Sequence, residues 1–309
     1  MPATFYHDDP AWADVEPLPQ QDTGHPLASI AYTEEYSEAM SYLRALMAKN
    51  EYSERGLALT NHIIDMNPAH YTVWLYRAKT LSELKIDPRK EIEWLNPTAL
   101  KHLKNYQIWH HRQTMIDKLG SPDGEGEFIA KMLEQDAKNY HVWSYRQWLV
   151  KRYQIFDDAE LKWTESMIED DVRNNSAWNH RYFLVFGAKD GAKVDKEIVD
   201  RELEFTKQVI RQAPQNQSPW NYIRGVLRYN KLPTSTLKDF VLEFADLEKP
   251  DDVFSSHALD TLADIYAEED DKKEEAKKAL DLLATRYDPI RAQYWNFRKG
   301  QLEQAGVAA

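Results

Sequence analysis

The stretch "KNYQIWHHR" at residues 104–112 returns almost unchanged as "KNYHVWSYR" at 138–146. Each copy sets a Trp near its centre and an Arg three places further on. The same pair stands at Trp74/Arg77 and Trp178/Arg181, so Trp74, Trp109, Trp143 and Trp178 are spaced by 35, 34 and 35 residues. Such a period marks stacked helical pairs, because each pair can bury its apolar face only against its neighbours. The series continues at Trp220 and Trp295, after gaps of 42 and 75 residues. The last gap is about two periods, which puts a repeat that has lost its Trp around "HALDTLADIY", 257–266.

The segments between the motifs read as the second helix of each pair. In "GEFIAKMLEQDA", Phe128, Ile129, Met132 and Leu133 fall on one face, and Val194, Ile198, Phe205 and Val209 are expected to do the same further on. With breaks at Pro68, Asp87-Pro88, Gly120-Ser121-Pro122, Pro214 and Asp288-Pro289, the pattern predicts an all-α chain of about fifteen helices, roughly seven antiparallel hairpins. The repeat domain is expected over 28–305, with helices beginning near Tyr32. Residues 1–27 carry five prolines and no helical period, as a tail or extended arm would, and 306–309 form a short C-terminal tail.

Composition narrows the function. A net charge of −12 argues against general nucleic-acid binding. No apolar run reaches membrane-spanning length, and the N-terminus lacks the pattern of a signal peptide, so a cytoplasmic place is expected. The chain has no cysteine, which excludes a thiol nucleophile and any thiolate metal ligand of its own. His110 and His111 are adjacent, point to different faces and make a poor metal pair. No HExxH, phosphate loop or dinucleotide fingerprint is present. Nothing in the chain is a self-contained catalytic centre.

The Trp and Arg are expected to build the repeat. Positions i and i+3 share a helix face. A Trp buried at the seam hides roughly 200 Å², and its Arg can stack on a ring or reach a carboxylate of the next repeat. Counted back from each Trp, Lys104, Lys138 and Arg173 stand five before, Tyr71, Tyr106 and Tyr140 three before, and Thr72, Gln107, His141 and Ser176 two before. Stacking brings these positions into register as one edge, locally basic and aromatic on an acidic chain, where helix N-termini add partial positive charge. That edge would suit a phosphate or carboxylate. On spacing alone the plainer reading is favoured: Tyr packs, Asn105 and Asn139 cap, Lys is solvated.

The runs "NPAHYTVWLYR", "KNYQIWHHR", "DAKNYHVWSYRQW", "DVRNNSAWNHRYF" and "SPWNYIRG" resemble the alpha subunits of protein farnesyltransferase, shared with type I protein geranylgeranyltransferase, in order and spacing from about residue 32 to about 300. Two departures are an Arg at +4 after Trp220 and the missing Trp. The resemblance implies a right-handed superhelical crescent wrapped around a beta subunit that carries the catalytic Zn2+, with Mg2+ assisting diphosphate departure. The implied reaction joins a farnesyl or geranylgeranyl group to the cysteine of a C-terminal CaaX sequence on proteins such as small GTPases. By motif match, Lys104 reaches the isoprenoid diphosphate near the reacting carbon. Tyr106 and Tyr140 line that site, flanked by Asn139 and His141, Gln107 meets the CaaX carboxylate, and Tyr71 stands near the same cleft. Two other readings compete: a non-enzymatic helical-repeat adaptor for extended peptides, and a Rab-type geranylgeranyltransferase alpha subunit.

Overall fold

The computed structural model describes residues 6–21, 24, 28, 30–187 and 193–307. Among them the secondary structure is helical throughout, with fifteen α-helices, as the periodicity predicts. The chain divides into two compact units. The first, Met1–Tyr153, holds α1 (Glu34–Ala48), α2 (Glu54–Met66), α3 (Tyr71–Glu83), α4 (Pro88–Lys101), α5 (Tyr106–Leu119), α6 (Glu125–Gln135) and α7 (Tyr140–Tyr153). The second, Gln154–Ala309, holds α8 (Asp158–Asp170), α9 (Asn175–Val185), α10 (Lys196–Gln212), α11 (Gln217–Asn230), α12 (Lys238–Leu242), α13 (Ser256–Glu268), α14 (Lys273–Leu282) and α15 (Ala292–Val307). In unit 1, α3 packs on α5 and α5 on α7; in unit 2, α9 packs on α11 and α11 on α13.

Every motif Trp is buried, and in the five regular repeats its indole N–H donates to the carbonyl six residues earlier, two residues past the preceding helix. Trp74 reaches Pro68 O (2.8 Å), Trp109 Leu103 O (3.5 Å), Trp143 Ala137 O (2.9 Å), Trp178 Val172 O (3.0 Å) and Trp220 Pro214 O (2.8 Å). The rings of Trp109 and Trp178 each meet the second helix of their own hairpin and the first helix of the next. Trp109 packs on Phe128 and Tyr145, and Trp178 on Phe205 and Tyr222. The seam role read from the spacing is borne out.

The Arg finds a carboxylate that the spacing analysis did not single out. Arg77 grips Glu91 in a two-pronged pair (2.6 and 2.7 Å), Arg112 grips Glu125 (2.7 and 2.6 Å) and Arg181 grips Glu202 (2.6 and 3.0 Å). Each guanidinium also lies over a ring three residues after that Glu: Trp94 at 3.7 Å, Phe128 at 3.5 Å and Phe205 at 3.9 Å. The next hairpin completes the cluster, with His111 on Glu91 (2.8 Å), Tyr145 on Glu125 (2.5 Å) and Tyr222 on Glu202 (2.6 Å). The apolar face expected on α10 is therefore rearranged. Helix α10 starts at Lys196, after Val194; Ile198 and Phe205 are only half-buried, and Glu202 is fully buried within the inward face.

The repeat without a Trp is α13. Leu259 fills the Trp position, fully buried, and charge replaces the missing ring. Arg224 on α11 meets Asp260 (3.0 Å) and Asp264 (3.3 Å), and Arg298 on α15 pairs with the same two carboxylates. At the other end, part of the expected tail docks on α1 and α2. Trp12 is buried, with Arg55 over its ring and on Asp14 (2.7 Å), and the Leu18 N–H donates to Ser41 O (3.0 Å). That segment covers the outer face of the first hairpin, as terminal repeats require.

Two outcomes follow for stability. Trp143→Ala should cost about 3–5 kcal/mol in chemical denaturation, as large aromatic truncations do, through both the lost packing and the lost indole hydrogen bond to Ala137 O. The second concerns acid. Burial raises the Glu91 carboxyl, but the hydrogen bonds of His111 and Arg77 outweigh it and hold the group below its ordinary value. Burial pushes His111 below its ordinary 6.5 despite Glu91. Below that value the unfolded chain takes up a proton that the fold refuses, so stability present at pH 7 is lost as pH falls. The Glu91 contribution goes later, as pH drops below the ordinary carboxylate range through its lower folded value. His111→Gln should flatten the pH dependence of unfolding between pH 6.5 and 5 by up to about 1.4 kcal/mol per pH unit; an unchanged slope would remove His111 as its source.

Candidate substrate-binding ridge

Tyr71, Tyr106 and Tyr140 are the first residues of α3, α5 and α7, and they are 67%, 67% and 70% exposed. Three equivalent tyrosines open to solvent are not packing residues, so that part of the plainer reading does not hold. Helical side chains lean toward the N-terminus, and the stacking of α3 on α5 on α7 keeps these ends on one edge of unit 1.

The cap residues behave as the plainer reading expects. Asn105 Oδ1 accepts from the Ile108 N–H (3.0 Å). Asn139 is buried; its Oδ1 accepts from the N–H groups of His141 (2.9 Å) and Val142 (3.2 Å), and its Nδ2 donates to Leu103 O (3.2 Å) and Asp136 (3.4 Å). The amide of Asn139 is thus engaged within the chain, where it fixes the first turn of α7 against the loop carrying Lys104.

That clamp assembles the patch. The His141 ring stands edge-on to Tyr106 (4.3 Å) and to Tyr140 (5.6 Å). Burial lowers the His141 pKa, and the nearby Lys104 ammonium lowers it further. Lys104, Tyr106, Tyr140 and His141 therefore share one surface, with Lys104 exposed and Gln107 half-buried in the first turn of α5. Tyr71 lies one hairpin earlier, its ring beside that of His70 (6.3 Å).

The edge offers an ammonium, phenol and imidazole donors and helix N-termini. Such donors stabilise anionic charge strongly only where water is excluded, and this edge is open. Among the described residues there is no group of three His, Asp or Glu side chains able to hold a metal ion. What sequence reasoning passed over is the set Glu91, Glu125 and Glu202; the signal was an aromatic three residues after each Glu.

Helical hairpins that repeat every 34 or 35 residues and present donors along one edge define a helical-repeat scaffold. The protein prenyltransferase alpha subunit repeat matches residues 53–84, 88–119, 122–153, 157–187 and 199–230. The chain belongs to the protein prenyltransferase alpha-subunit family, as its motifs suggest. It is 39% identical to the protein farnesyltransferase/geranylgeranyltransferase type-1 subunit alpha of Candida albicans, over 94% of this chain and 97% of that one. It is 38% identical to the Dictyostelium discoideum subunit of the same name, over 94% and 91%. Among solved structures, Candida albicans protein geranylgeranyltransferase-I complexed with GGPP aligns with a TM-score of 0.87 at 39% identity, covering 94% of this chain and 98% of that chain.

The Lys104–His141 pairing is directly measurable. In Lys104→Met the His141 imidazole should titrate at higher pH than in the parent, read from its ring-proton NMR shifts. An unchanged midpoint would separate the two residues.

Proposed function

We propose that this chain is the alpha subunit of a heterodimeric CaaX prenyltransferase, which moves a farnesyl or geranylgeranyl group from its diphosphate to a C-terminal CaaX cysteine. The observation that carries it is the exposed patch of Lys104, Tyr106, Tyr140 and His141 on aligned helix N-termini. Similarity over 94% of the chain to type-1 alpha subunits supports this reading over a peptide adaptor or a Rab-type subunit.

The chain supplies donors. Lys104 Nζ donates to the diphosphate oxygen on which negative charge builds as the carbon–oxygen bond lengthens. The hydroxyls of Tyr106 and Tyr140 and the His141 ring hydrogen-bond the remaining oxygens, and Asn139 holds α7 so that they converge. Gln107 binds the terminal carboxylate of the CaaX peptide, and Tyr71 borders the same cleft. Zinc does not fit on this chain, which has no cysteine and, among its described residues, no cluster of metal ligands. A zinc ion that keeps the substrate thiol as thiolate, and magnesium at the diphosphate, are assigned to the assembled enzyme. The reading carries with it an obligate beta subunit, small-GTPase-type substrates and a cytoplasmic site of action.

The test is single-turnover transfer of a labelled isoprenoid by the complex with a co-expressed beta subunit. Lys104→Ala should slow the chemical step by roughly ten- to a thousand-fold, the range for losing one electrostatic donor, with diphosphate affinity changed much less. Gln107→Ala should raise the KM for CaaX peptide with little effect on the isoprenoid substrate. A normal chemical rate in Lys104→Ala would sink the assignment.

A further inference from the structure

Unit 1 contains a second place built for an anion, one hairpin before the ridge. A cavity of about 390 Å³ is lined by side chains that include Gln20, Tyr32, Tyr36, Ser37, Arg44 and His70. That volume falls within the range of small-ligand sites.

Two features of its wall stand out. The first is His70. It holds the cap position of α3, four residues before Trp74, where Asn105, Asn139, Asn174 and Asn216 stand in later repeats. Those asparagines accept from the first-turn N–H groups of their helices. His70 makes no side-chain cap, and among the described residues its buried Nδ1 has no hydrogen-bond partner. A buried ring nitrogen left unmatched costs roughly 1–3 kcal/mol, so retaining it at a place where Asn would serve calls for a compensating partner.

The second is Arg44. Its Nε donates to Leu18 O (2.7 Å) and one Nη to Ser41 Oγ (3.1 Å), both neutral acceptors. Among the described residues no carboxylate pairs with it, in a chain whose formal charge is −12 and where Arg77, Arg112 and Arg181 each grip a Glu. Burial lowers its pKa, as expected of a cation withdrawn from water without an anion beside it. Among the described residues, two of its five N–H groups are used, which leaves three to donate. A guanidinium that lines one cavity with an imidazole and the Ser37 and Tyr36 side chains is the kind of donor set a phosphate or carboxylate takes.

We propose that this cavity is an oxyanion-binding site, with Arg44 and His70 as the groups that hold a phosphate or carboxylate. It is separate from the Lys104 ridge and linked to it through His70, whose ring lies beside that of Tyr71. The proposal does not depend on which reaction the ridge serves. A ligand here would bear on Tyr71, at the start of α3, and through it on the edge where substrate binds.

The test titrates the chain, co-expressed with its beta subunit, with inorganic phosphate and separately with acetate. Binding is followed by 31P line broadening and by the ring-proton shifts of His70. Saturable phosphate binding should weaken by about ten-fold or more in Arg44→Gln, the effect of losing one charge-assisted pair, and persist in Lys104→Ala. A response to acetate and not phosphate assigns a carboxylate ligand, and the reverse a phosphate. His70→Asn, which restores the residue of the later repeats, should fold normally and also weaken binding, and it serves if Arg44→Gln is unstable. Loss of binding in Lys104→Ala but not in the cavity variants would place the anion on the ridge and overturn the proposal, as would no saturable binding of either anion.

Discussion

One carbonyl per repeat holds this architecture together. Two residues past the second helix of a hairpin, the backbone oxygens of Leu103, Val172 and Pro214 each accept two hydrogen bonds. One comes from the Trp of the following helix; the other comes from the cap residue of the hairpin after that, through Asn139, Asn216 or Ser255. A carbonyl has two lone pairs, and here they are divided between a repeat and its successor. Stacking is thereby fixed by directed bonds as well as by apolar area, and slippage of one hairpin along another would leave a buried acceptor and a buried indole N–H unmatched.

The buried carboxylates add a second constraint of the same kind. Glu91, Glu125 and Glu202 each receive an Arg from the first helix of their own hairpin and a His or Tyr from the next hairpin. A buried ion pair contributes little net stability over an apolar pair, but breaking one is costly. Its value in this chain is register: a charge held by defined partners from two hairpins tolerates one arrangement. Where α13 gives up its Trp, Asp260 and Asp264 between Arg224 and Arg298 do the same work with a different residue set. The repeat conserves directional pairing across the seam and lets the chemistry vary.

This division of labour leaves the edge free for function. Trp, Arg and the buried Glu settle packing, and the cap Asn settles the helix start. The places one and two after the cap in α5 and α7 lie outside those pairings. Tyr106, Gln107, Tyr140 and His141 occupy those places, and the exposure of the tyrosines would be wasteful on a finished surface.

The fold was legible in the sequence because the Trp–Arg period is long-range order written in one dimension; spacing alone required stacked helical hairpins and located the repeat that lacks a Trp. The candidate residues were legible as well, since register in sequence becomes adjacency in a solenoid. Their roles were not. Asn139 and His141 are neighbours in the chain, yet one is buried in a clamp on Leu103 and the other faces Tyr106; periodicity assigns a position, and only packing decides which way its polar atoms are spent. Glu202 sits 21 residues from Arg181, against 14 and 13 for its counterparts, so no fixed spacing announces it. Burial of charge is a property of three helices meeting, and the sequence by itself holds only one helix at a time.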